Sequence, residues 1–174
     1  MRLDDRCQLI KMILSDVDGV MTDGGLIFDN QGVESKQFQT RDGMGIRIWR
    51  RAGNQFGIIT ARSSQIVRVR SAELGIDIVR QGIEDKLPIG FQIISEAGLT
   101  PEQVCYVGDD LPDLALIDAV GLGVAVADAA EEVRRTANYT TSVPGGRGTI
   151  REVVELILKN QNRWDDLIRK YGGK

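Results

Sequence analysis

The chain contains no histidine, which removes Ser-His-Asp and Cys-His catalysis and every histidine-bound metal site from consideration. It has only two cysteines, Cys7 and Cys105, with no CxxC or zinc-ligand spacing. Cys105 lies in an apolar run, where a buried, inert thiol is expected. No apolar run approaches the ~20 residues of a membrane span, and the first residues carry no signal-peptide pattern, so a cytoplasmic protein without membrane contact is expected. Positive charge is not in excess: 22 Lys and Arg are interspersed with 25 Asp and Glu for a net charge of -3. That balance offers no basic stripe to nucleic acid. Chemistry in this chain is left to carboxylates, hydroxyls, lysine and arginine.

What is present is an alternation of short apolar runs with helical stretches. The 174 residues are 42% hydrophobic, which suits one domain over residues 1–174 with a full core. Met12 to Leu14, Phe56 to Ile59, Asp77 to Val79, Val104 to Val107 and Leu122 to Val126 read as strands buried on both faces. Between them, "SSQIVRVRSAELG" opens on serines able to cap a helix and ends at Gly75, and "TPEQ" orders cap, proline and return partner for a short turn. "GTIREVVELILKNQ" sets Ile150, Val153, Val154, Ile157 and Leu158 on one stripe. The class predicted is α/β, a doubly wound parallel sheet. One segment breaks the rhythm: "GLIFDNQGVESKQF", about residues 25–38, predicts a β-hairpin inserted after the first strand.

In such a sheet, ligands collect beyond the carboxyl ends of the strands. The first strand ends in "SDVDG", two aspartates spaced two apart. Thr60 follows the second strand, Lys86 the third after a short loop, and Asp109 with Asp110 the fourth. Taken singly, Thr60 could be a cap, Lys86 a solvated charge and Asp109-Asp110 a turn. Taken together, four acids on one sheet edge would repel one another without a cation and an anionic ligand. Mg²⁺ accepts the all-oxygen ligand set that a histidine-free site supplies. Phosphoryl transfer then assigns the roles: Asp16 attacks phosphorus, and Asp18 protonates the leaving alkoxide and later deprotonates water. Positions i and i+2 of extended chain project to the same side, which suits that division. Thr60 offers a hydroxyl and, at Ala61, an adjacent backbone N–H to the phosphoryl group; Lys86 brings a full positive charge and Asp109 a metal ligand.

"DVDGVMTDG", "IITAR", "QGIEDK" and "GDDLPD" resemble, in order and spacing, the four motifs of the haloacid dehalogenase-like phosphatases. More narrowly, the hairpin, "QTRDGMGI", "RSAELGI", "VPGGRG" before "REVVE", and the "NRWDDLIRKY" tail resemble the 3-deoxy-D-manno-octulosonate 8-phosphate phosphatase family over nearly the whole chain. The resemblance implies a Rossmann-like fold, Mg²⁺ dependence, a role in lipopolysaccharide precursor synthesis and a homotetramer. It also implies that Asp16, the backbone carbonyl of Asp18, and Asp109 hold the metal, with Asp110 and Asp113 supporting that shell. Thr60 and Lys86 would hold the phosphoryl group. Ala61 departs from the glycine usual in the family before the arginine, which bears on the sugar-side fit near Arg62.

Roughly 40 residues separate Asp18 from Thr60, already used by hairpin, helix and strand. Those between Lys86 and Asp109 make one helix and one strand, far short of the ~50 residues a cap domain needs. An uncapped crevice calls for cover from elsewhere. The resemblance assigns that cover to a neighbouring subunit, through the hairpin and the C-terminal tail, about residues 160–174. A self-contained flap and a frayed helix end are the bland alternatives, although Trp164 favours burial. A sugar acid also presents a carboxylate, for which Arg41, Arg62 and Gly146 in the "PGGRG" loop are candidates. Against these stand a salt bridge of Arg41 to Asp42 or Glu34 and a tight turn at Gly146. Two rival functions remain. A nine-carbon sialic-acid-like phosphate would be handled by the same four motifs. A receiver-type signalling domain also gathers acids, a hydroxyl and a lysine around Mg²⁺, but its phosphorylated aspartate comes two strands after its acid pair; here the DxD comes first.

Overall fold

The computed structural model describes residues 1–172. Its framework is a six-stranded parallel sheet of β1 (Met12–Ser15), β4 (Gln55–Thr60), β5 (Ile78–Gln81), β6 (Val104–Gly108), β7 (Leu122–Ala125) and β8 (Tyr139–Thr140). The strand order is β5-β4-β1-β6-β7-β8, and every neighbouring pair is parallel. The chain therefore winds outward from β1 through β4 to β5, then returns to the other side of β1 for β6, β7 and β8. That reversal opens a crevice beyond the carboxyl end of β1, flanked by Ile58 and Val107 in register with Ser15. Met12, Ile13 and Leu14 are wholly buried, as are Val104 to Val107, which is what covering both faces of a sheet demands.

Helices cover the sheet in two groups. α1 (Leu3–Leu9), α2 (Thr40–Arg51) and α7 (Thr149–Asn160) pack together, and α4 (Lys86–Glu96), α5 (Leu114–Ala119) and α6 (Glu131–Thr136) form the other group. α3 (Gln65–Leu74) leans on α2 and ends at Gly75 in the left-handed region. The predicted stripe of α7 is buried at all five positions. α2 reaches α7 closely because Gly45 has no side chain; a Cβ there would sit 3.0 Å from the Cα of Arg151. Beside it the buried Asp42 caps the neighbouring helix, Oδ1 accepting from Arg151 N at 2.9 Å. Burial pushes the Asp42 carboxyl up to about 6, against the backbone donors of α7.

The predicted hairpin is present as β2 (Ile27–Phe28) and β3 (Glu34–Ser35), paired antiparallel. Some expectations need adjusting. The strand expected at Asp77 to Val79 runs from Ile78 to Gln81 and is half-buried, because β5 is an edge strand with one covered side. β8 was not anticipated; its two residues are too few and too polar to make an apolar run. Ser64 precedes α3, but its hydroxyl donates to Glu34 Oε2 at 2.7 Å instead of capping the helix. At "TPEQ" the return partner behaves as expected, Gln103 Oε1 accepting from Thr100 N at 3.1 Å. After α7, the chain turns into α8 (Trp164–Ile168), whose Trp164 is buried beneath Arg151 and Lys159, 5.0 and 5.6 Å from its ring. Both cysteines are buried and unpaired, and burial pushes the Cys7 thiol up to about 11.

Candidate active site

β1 delivers Asp16 to the head of the crevice, where its N–H still donates to Val107 O at 3.0 Å. Continuing the strand ladder by one residue fixes the backbone that carries the carboxylate. Asp16 Oδ1 accepts from Val17 N at 2.6 Å, and Oδ2 lies 2.8 Å from Lys86 Nζ. Lys86 is the first residue of α4 and its side chain is 1% exposed. It also lies 2.6 Å from Asp113 Oδ1. Burial lowers the Lys86 ammonium, but the carboxylates of Asp16 and Asp113 outweigh it, and the net shift is upward. For Asp16, burial raises the carboxyl above its ordinary value and Lys86 works against that.

Asp113 is saturated. Oδ1 accepts from Lys86 Nζ and from Tyr106 OH at 2.6 Å; Oδ2 accepts from Asp109 N at 2.9 Å and Asp110 N at 3.2 Å. Two oxygens with four donors have no lone pair to spare. Asp113 therefore anchors the lysine and the turn after β6. Asp109, by contrast, keeps a buried Oδ1 with no hydrogen-bond partner. Burial, followed by the charges of Asp113 and Asp16, pushes the Asp109 carboxyl up to about 8. Oxygens of Asp16, Asp109 and Asp113 lie within 4.8 Å of one another. Gly19 makes room for this cluster: at φ +90°, a Cβ would overlap the Asp109 carboxylate. An orphaned carboxylate oxygen among like charges, with one lysine for balance, fits a divalent cation bound by hard oxygen ligands.

Asp18 stands two residues on, at the side of the same crevice. One of its oxygens pairs with Lys36 of the hairpin, and the other is buried without a hydrogen-bond partner, 3.9 Å from Arg62 Nε. The crevice itself has a volume of about 260 Å³ and is lined by Asp16, Asp18, Thr60, Ala61, Arg62, Lys86, Asp109 and Asp110. A larger cavity, about 530 Å³, lies at the opposite end of the sheet between Gln8 and Arg163. Its Gln161 and Arg163 already donate to backbone carbonyls, and it holds no acid cluster.

Eight of the residues singled out in the sequence thus meet in one place, with Asp113 directly beneath. Asp110 is exposed at the rim. Arg41 and Gly146 do not join them. Arg41 lines a separate cavity beside Arg147 and Arg151, and neither Asp42 nor Glu34 is its partner. Gly146 donates its N–H to Val20 O at 2.9 Å, at φ +68°, and packs on Thr22 and Asp23, so this loop buttresses the turn after β1. Sequence reasoning missed Glu34, Lys36 and Tyr106. The first two share a face as positions i and i+2 of the hairpin, but only the docked hairpin turns that face toward Asp18 and Arg62. The tail turns back on its own chain, where Arg51 donates to Tyr171 OH at 2.6 Å.

Residues 54–148, which carry Thr60, Lys86 and Asp109, match the model of the haloacid dehalogenase-like hydrolases. The chain is 41% identical over 161 residues to the 3-deoxy-D-manno-octulosonate 8-phosphate phosphatase of Escherichia coli K12, covering 92% of this chain and 86% of that one. The phosphatase of that name from Moraxella catarrhalis, solved with magnesium, phosphate and KDO, superposes with a TM-score of 0.95 at 39% identity, over 97% of each chain. A probable phosphatase from Pseudomonas syringae gives 0.96 at 45% identity, over 99% of this chain and 98% of that one. With four motifs meeting at one sheet edge and relatives matching over most of the chain, the chain belongs to the haloacid dehalogenase-like hydrolases and, within them, to the 3-deoxy-D-manno-octulosonate 8-phosphate phosphatase family.

Proposed function

We propose that the chain hydrolyses 3-deoxy-D-manno-octulosonate 8-phosphate to the free sugar acid and phosphate, with Mg²⁺, in the cytoplasm and as a step toward lipopolysaccharide. The observation that carries the reading is Asp16, oriented by Val17 N–H and Lys86, facing Asp109 across a crevice that also holds Asp18. Asp16 attacks phosphorus and becomes an aspartyl phosphate while Asp18 gives its proton to the departing C8 alkoxide. Asp18 then takes a proton from water, which releases phosphate and restores Asp16. Lys86, the Thr60 hydroxyl and the Ala61 N–H hold the phosphoryl oxygens through both steps. Asp16, Asp109 and the Asp18 carbonyl would hold Mg²⁺, which when bound offsets the charge of the phosphoryl group.

Arg62 at the rim is the cation nearest to hand for the sugar carboxylate. Arg41 would serve only by reaching a different site or a neighbouring copy. For assembly, the support is the apolar residues of the hairpin, Leu26, Ile27, Phe28 and Val33, each more than half exposed. An apolar patch of that kind suits contact with further copies of the chain, in a homotetramer that shelters the crevice. The test is phosphate release from eight-carbon and nine-carbon sugar-acid phosphates, with Mg²⁺ and with EDTA. Mg²⁺-dependent preference for the eight-carbon ester is expected. Preference for the nine-carbon ester would overturn the substrate, and turnover of neither would overturn the reading.

A further inference from the structure

Lys36 is out of place by the usual rules. It follows a two-residue strand in a hairpin that exposes Ile27 and Phe28, yet its own side chain is 1% exposed. An ammonium buried that far costs several kcal/mol unless it is paired. Its partners are two carboxylates: one oxygen of Asp18, and Glu34 Oε1 at 3.3 Å. Glu34 in turn accepts from Arg62 Nη2 at 2.9 Å and from Ser64 Oγ at 2.7 Å. Through Glu34 the hairpin is tied to the loop after β4, and through Lys36 to Asp18, the side chain that must handle the proton. With Oδ1 engaged by Lys36, Asp18 Oδ2 is the oxygen left without a hydrogen-bond partner.

We propose that Lys36 is a positioning residue for Asp18: its ammonium, steadied by Glu34, fixes the carboxylate so that Oδ2 meets the leaving-group oxygen. This rests on Asp18 being the proton donor of the first step. A residue with that duty matters only when the leaving group needs a proton. A sugar alkoxide leaves poorly without one, whereas p-nitrophenolate leaves unaided. A cation that merely pins the hairpin would not distinguish the two esters.

The experiment follows phosphoryl transfer to Asp16 before the first turnover is complete. Rapid quench reads the eight-carbon sugar-acid phosphate, and the p-nitrophenolate burst reads p-nitrophenyl phosphate. Lys36→Met is expected to slow transfer from the sugar ester by at least about tenfold and from the aryl ester by less than about threefold, within the ~10²–10⁴ that a positioned acid supplies. Lys36→Arg, which keeps the charge, should restore most of the loss. Equal loss with both esters, or a raised KM with kcat intact, would overturn the proposal. Asp18→Asn is the reference: if it spares the sugar ester, the proton-donor assignment and this proposal both fail. If it shows the expected ester dependence and Lys36→Met does not, only the proposal fails. Should Lys36→Met not fold, as judged by its thermal melt, Glu34→Gln is measured in the same way and must show the same ester dependence.

Discussion

At the residue scale, Gly19 ties the backbone to the metal site. Alanine there would have to hold φ near +90° and displace the Asp109 carboxylate, and a strained left-handed residue costs about 1–3 kcal/mol. Gly19→Ala should weaken Mg²⁺ binding by about tenfold or more in titration calorimetry; unchanged affinity would mean that Asp109 does not hold the metal. Asp42 gives a second prediction. Its carboxyl is pushed up to about 6 from an ordinary value of 3.8, so between those values the folded chain binds more protons than the unfolded one. Stability then falls as pH rises through that window, by up to roughly 2–3 kcal/mol from this group. Asp42→Asn keeps an acceptor for Arg151 N–H but carries no charge. In urea melts its stability relative to the parent should climb from pH 4 to pH 6.5 and level off; a difference constant with pH would show that Asp42 is ionised throughout. Asp16, Asp18, Thr60, Lys86 and Asp109 were legible in the sequence because each closes or follows a strand. Lys36 and Glu34 were not, because their partners Asp18 and Arg62 lie far along the chain and only folding the hairpin brings them close.

At the element scale, α7 repeats its apolar residues at helical spacing and every predicted position is buried. Ile157→Ala should cost about 2–5 kcal/mol in a denaturant melt, with phosphate release per folded molecule unchanged; lost activity at full folding would place α7 in the chemistry. Strands covered on both faces, β1, β4 and β6, were equally plain as apolar runs. β5 was displaced by a residue or two and β8 went unseen, because an edge strand shares its alternation with loops and two residues make no pattern. The hairpin was visible from its turn residues, but its docking on its own crevice was not. That docking depends on buried charge, which no apolar periodicity reports.

At the scale of the whole molecule, the hairpin carries two sets of residues with different business. Glu34 and Lys36 face the crevice of their own chain, while Ile27 and Phe28 are exposed. If those apolar residues join copies of the chain, Ile27→Asp with Phe28→Asp should shift sedimentation from tetramer toward monomer and lower turnover at low concentration. An unchanged sedimentation coefficient would place the interface elsewhere. The account as a whole stands on Asp16 carrying the phosphoryl group. The most direct measurement is acid quench of the Asp18→Asn variant with p-nitrophenyl phosphate, whose leaving group needs no proton, and Mg²⁺, followed by peptide mass mapping. One added phosphoryl group on the peptide bearing Asp16, absent when Asp16→Asn is introduced as well, is the predicted result. A phosphoryl group on any other residue, or phosphate release with no phosphorylated peptide at any quench time, would contradict it.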